Sequence, residues 1–164
     1  MKPVINLHDL KTEQFGQGED FGAHIASFGP KIGARQLGAR LVIVQPGKRG
    51  WPYHSHYANE EMFIILIGEG TLRYGNERFP VREGDVIAAP AGGKETAHQI
   101  INTSDAELRY LALSTMREPE ICEYPDSEKF GAFAGIVSKG RDKADLLTFN
   151  RASDGVNYWD GETK

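Results

Sequence analysis

The chain has one cysteine, Cys122, in 164 residues. That excludes an internal disulfide framework and fits a reducing compartment, so a cytoplasmic protein is expected. No apolar run approaches the ~20 residues of a membrane span. The longest uninterrupted one, Met62 to Ile67, has the length of a strand. The opening MKPVINLHDLKTEQFG lacks the apolar stretch of a secretory leader. Charge is not gathered by sign either. The net charge of −4 comes from acids and bases spread along the chain, which argues against a nucleic-acid-binding surface and against a disordered acidic tail. Sustained helical periodicity is missing from residues 36 to 115.

What is present is a series of short β-type runs divided by Gly, Pro and Asn. Gln36 to Gln45 is rich in β-branched residues and ends at Pro46-Gly47. Glu61 to Ile67 follows, apolar on both faces beyond Glu61, and is expected to be buried on both sides. Thr71–Tyr74 and Arg78–Val81 flank Gly75-Asn76-Glu77, a hairpin signal. Val86–Ala89, Ala97–Ile101 and Leu108–Thr115 complete the series. This spacing predicts an all-β sandwich or barrel in one domain.

Two stretches carry chemistry. In the first, His54 and His56 are two apart, so on a strand both imidazoles share a face. Glu61 opens the buried strand, and a carboxylate there is costly unless something neutralises it. A metal ion held with the two histidines meets that need. The second stretch, Gly84 to Asn102, supplies His98. Three imidazoles and a carboxylate suit manganese, iron, nickel, zinc or copper.

These stretches resemble the two cupin motifs. Gly47, His54, His56, Glu61 and Gly68 follow the first; Gly84, Pro90, Gly92, His98 and Asn102 follow the second. The resemblance covers residues 35 to 115 and implies a double-stranded β-helix, or jelly-roll, with irregular arms at 1–34 and 116–164. It also implies one divalent ion per subunit on His54, His56, Glu61 and His98, and a homodimer. Two spacings depart from the common form. One extra residue precedes His54, and three precede His98, which brings Glu95 forward as a rival ligand. Glu61 is preferred to Glu60 because Gly68 falls seven residues after it.

A small molecule is expected in the barrel, with Trp51, Tyr53, Tyr57 and Phe63 as candidates for an aromatic wall and Tyr53 and Glu60 as acid–base candidates. The resemblance implies dioxygenase, decarboxylase or isomerase chemistry, and the alternative is a non-catalytic binder of a sugar or carboxylate. The apolar inward candidates Phe63, Ile65 and Ile67 disfavour a phosphorylated sugar. Val4 to Leu7 is expected as a short strand. Val156 to Trp159 is expected as the last strand, with Trp159 packed on the barrel and the C-terminal arm wrapping its own barrel or a partner.

Overall fold

The computed structural model describes residues 2–162. Among these, thirteen strands run β1 (Glu13–Gln17), β2 (Phe21–Ser27), β3 (Leu37–Val44), β4 (Ser55–His56), β5 (Glu61–Ile67), β6 (Glu69–Tyr74), β7 (Glu77–Arg82), β8 (Val86–Ala89), β9 (His98–Ile101), β10 (Leu108–Thr115), β11 (Glu120–Tyr124), β12 (Lys129–Ala134) and β13 (Leu146–Arg151). One single-turn helix, α1 (Ile136–Lys139), lies between the last two strands. The all-β architecture expected from the strand spacing, and the double-sheet jelly-roll that the resemblance implied, are what is observed.

One layer is an antiparallel sheet in the order β1-β2-β3-β10-β5-β8. The other is assembled from two pieces, β7-β6-β9 and β4-β11-β12-β13. His54 joins them. It exchanges both backbone hydrogen bonds with His98 at the start of β9, at 3.2 and 2.8 Å, and β4 begins at the next residue. The core fills the space between the layers with Val42, Val44, Phe63, Ile65, Leu72, Ile87, Ile100, Leu108 and Tyr110. Period-2 alternation directs Phe63 and Ile65 inward from β5. A β-bulge between Arg109 and Tyr110 shifts the register, and Ile67 leaves the core to become 47% exposed.

Asn102 locks the turn after β9. It is fully buried. Its amide donates to Val44 O and Ala106 O, while its carbonyl accepts from the Ser104 backbone and hydroxyl. All four polar valences of the side chain are thereby used within the protein.

The structure departs from the sequence expectations in three places. Residues 4–7 form no strand: Leu7–Asp9 is a 3-10 turn capped by Asn6, and the N-terminal strands are β1 and β2. Glycines build that hairpin. Gly18 takes the left-handed conformation in its turn, and a side chain at Gly16 would strike Phe21 O. The last strand is β13 rather than Val156–Trp159; Trp159 is 63% exposed and packs edge-on against Tyr158. Finally, β5 is covered on one face only. Its outward residue Met62 is 40% exposed, beside Val86 at 61%.

The C-terminal arm returns to its own barrel. β11 pairs with β4 through Cys122↔His56 and Glu123↔Ser55, and β12 and β13 extend that sheet.

Candidate metal centre

Three strands and a loop end deliver the four residues to one point. Glu61 is the first residue of β5, in one layer; His98 opens β9, His54 is its bridge partner, and His56 sits in β4, in the other. Glu61 Oε2 lies 3.0 Å from His98 Nε2, 3.3 Å from His56 Nε2 and 3.9 Å from His54 Nε2. Three imidazoles thus turn the same ring nitrogen toward one carboxylate oxygen.

The opposite nitrogens explain why. His54 Nδ1 is 2.8 Å from Pro52 O, and His98 Nδ1 is 3.1 Å from Thr96 O. A carbonyl only accepts, so each Nδ1 carries the proton and each Nε2 presents its lone pair inward. His56 Nδ1 faces Cys122 Sγ at 3.2 Å and Glu120 Oε2 at 3.4 Å. Such outer contacts orient metal-binding histidines. Phe63 packs against His98 with ring centroids 5.4 Å apart, and Tyr124 stacks on His54 at 6.0 Å and 19°.

Electrostatics follow from burial. Burial, then the neighbouring His98, pushes His54 down to about 4. Burial pushes the Glu61 carboxyl up, but the imidazoles of His56 and His98 beside it outweigh that and hold the group well below the usual range. His56 is pushed down by burial and raised, on balance to about 12, by its contacts with Cys122, Glu120 and Glu61. The buried negative charge on Glu61 therefore demands a positive neighbour. A divalent cation at the shared point meets the same demand. His56 Nε2 is buried without a hydrogen-bond partner, so the donor set fits such an ion on geometry as well as on chemistry.

The remaining candidates lie elsewhere. Glu95 turns back on its own loop, accepting from Gly93 N at 3.0 Å, so the longer turn brings no rival carboxylate to Glu61. Glu60 is exposed, with its backbone tied to Thr115. The Tyr53 hydroxyl donates to Gly75 O at 2.7 Å, and the Arg73 guanidinium lies 3.7 Å over its ring. Trp51 packs on Phe15, and the half-exposed Tyr57 bonds to Glu123. Of the expected aromatic wall, only Phe63 touches the histidines.

Sequence reasoning missed the contribution of β11. Glu120, Cys122 and Tyr124 alternate along it toward the histidines. Glu120 is 6% exposed. One of its oxygens accepts from the backbones of Tyr57, Ala58 and Ile121, and the other from the Asn59 amide. The short period-2 pattern Glu-Ile-Cys-Glu-Tyr was the available signal.

The Cupin domain family matches residues 40–114. The oxalate-binding protein of Thermotoga maritima is 31% identical over 115 residues, covering 67% of this chain and 91% of that protein. The chain belongs to the cupin family. A further relative of this cupin, an uncharacterized protein of Methanocaldococcus jannaschii, is 39% identical over 61 residues, 37% of this chain, and the match spans only 46% of that protein. Among solved structures, a sugar phosphate isomerase from a cupin superfamily of Silicibacter pomeroyi superposes with a TM-score of 0.76 at 22% identity. That superposition covers 96% of this chain and 98% of the other. A predicted oxalate decarboxylase of Thermotoga maritima gives 0.60 at 22% identity, covering 70% of this chain and 99% of the other. At these identities both share the fold; the first shares it along nearly the whole chain.

Proposed function

We propose that this cupin holds one divalent ion per subunit with His54, His56, Glu61 and His98, and that it is a metal-dependent enzyme for a small oxygen-rich or anionic substrate. The reaction is of the dioxygenase, decarboxylase or isomerase type. The observation that carries this reading is the convergence of three Nε2 atoms on one carboxylate oxygen of Glu61. Around an ion that prefers six ligands, four protein ligands leave two coordination positions open, as a catalytic rather than a closed structural site requires. When bound, the ion supplies a Lewis acid or a redox centre. The chain's own part is to hold the rings through Pro52 O, Thr96 O and Glu120, and to shield them with Phe63 and Tyr124. Tyr53 and Glu60 receive no step, because the first is committed to Gly75 O and the second stays at the surface.

A non-catalytic ligand-binding role is the second reading, favoured by the name of the 31% identical oxalate-binding relative. A homodimer is supported by the outward row of β5 and β8, where Met62 and Val86 are exposed. A cytoplasmic location is supported by the free, buried Cys122; no described helix is long and apolar enough to cross a membrane.

The test is metal content per subunit by elemental mass spectrometry, on protein purified without chelators, with His54→Ala alongside. Near one equivalent, lost in the variant, supports the site. Iron or copper then directs assays to oxygen consumption, and manganese or nickel to decarboxylation and isomerisation. No metal after reconstitution overturns the enzyme reading.

A further inference from the structure

The inward face of the C-terminal sheet continues the metal centre outward. Cross-strand partners share a face, so Tyr124 on β11 lies level with Lys129 on β12 and Arg151 on β13. Tyr124, already stacked on His54, is 6.0 Å from Phe149, which is 5.5 Å from Phe133. Gly131 makes room for this ring cluster, since a side chain there would come within 2.5 Å of Phe133 and 2.9 Å of Phe149. Phe149 is nonetheless 46% exposed. An aromatic path therefore leads from a histidine of the centre to an open surface.

Cations border the path. Lys129 Nζ sits 5.3 Å over the Tyr124 ring. Among the described residues neither Lys129 nor Arg151 has an acidic partner within ion-pair distance. Lys129 and Arg151 stand directly opposite one another on neighbouring strands. Like charges so placed repel unless an anion lies between them. The barrel lining is apolar, as the sequence indicated, yet the C-terminal sheet brings to the mouth the positive charge that the barrel lacks.

We infer that this sheet is the specificity wall of the site. It takes a small ligand whose ring lies along Tyr124 and Phe149, with chelating oxygens at the metal end and an anionic group, carboxylate or phosphate, at the Lys129–Arg151 end. The inference rests on the metal reading above for the chelating end only.

The test is calorimetry on protein loaded with Mn²⁺, comparing protocatechuate with catechol and a pentose phosphate with its unphosphorylated pentose. Each pair shares the chelating oxygens and differs in the distal anion; the two pairs separate a carboxylate from a phosphate. The wild type binds the anionic member of at least one pair more tightly. The double variant Lys129→Ala/Arg151→Ala loses about 10-fold in affinity for that member and little for its neutral counterpart. Equal affinities within both pairs overturn the inference, as does an equal loss for both members of a pair in the variant. Failure of the protein to take up Mn²⁺ counts against the metal reading alone. Benzoate against benzyl alcohol, with the same variant, then decides the wall on metal-free protein.

Discussion

Glu120 gives the sharpest test of how the centre is held. Its carboxylate is buried and collects four N–H donors, three from backbone and one from Asn59, while its second oxygen faces His56 Nδ1. Glu120→Ala strands those donors. Each unsatisfied buried donor costs about 1–3 kcal/mol. Water entering the gap relieves part of the sum, so a total of about 3–5 kcal/mol is expected, the range for breaking a buried charged pair. For a chain of this size that lowers Tm by roughly 6–20 °C. Glu120→Gln separates two roles. It keeps one carbonyl oxygen for the three backbone donors but sets an NH₂ against the Asn59 amide and the protonated Nδ1 of His56. Stability then falls by about 1–2 kcal/mol, while metal affinity falls about 10–100-fold as His56 loses its orientation. The assays are urea denaturation and competitive metal titration on both variants. A Glu120→Gln protein with wild-type metal affinity refutes the positioning role, and a Glu120→Ala protein of wild-type stability refutes the hydrogen-bond accounting.

Three further outcomes are expected. Asn102→Ala empties four hydrogen bonds behind the second motif and costs about 2–4 kcal/mol in denaturant unfolding, without loss of metal stoichiometry. Met62→Glu with Val86→Lys shifts the protein to a monomer in light scattering if the outward face of β5 and β8 is the dimer contact; an unchanged mass moves the contact elsewhere. Asp126 is held below its ordinary range by Arg73, with bonds of 2.6 and 2.8 Å, so it stabilises above the ordinary aspartate pKa and that contribution is lost as pH falls through the lowered value. The pair is largely exposed, so Asp126→Asn costs under about 1 kcal/mol at neutral pH, and the gap to wild type closes in acid titrations of stability.

The barrel and the convergence of its four residues were legible because both rest on short-range rules. His-x-His on a strand shares a face, the first residue of a buried strand points where Phe63 and Ile65 point, and turns announce themselves by Gly, Pro and Asn. The longer turn before His98 changed nothing in the pocket because its extra residues close on themselves as a 3-10 turn at Lys94–Thr96. The arms were not legible. β1 and β2 are interrupted by glycines whose value lies in the hairpin they allow, and β11–β13 are short. Their strand character comes from partners far away in sequence, such as His56 for Cys122. The cations at the mouth were invisible for the same reason: Lys129 and Arg151 meet only across a sheet.

A single residue separates His54 from His56, yet they belong to different neighbours, the first bridged to β9 and the second paired with β11. An ion gripping both, together with Glu61 from the opposite layer, would act as a rivet through three otherwise separable parts: each layer of the barrel and the returning arm. Peeling the arm away would pull on a ligand directly, so its detachment and metal release become one event. Loading the ion should therefore slow proteolysis and amide exchange in β11–β13, strands that hold none of the four ligands.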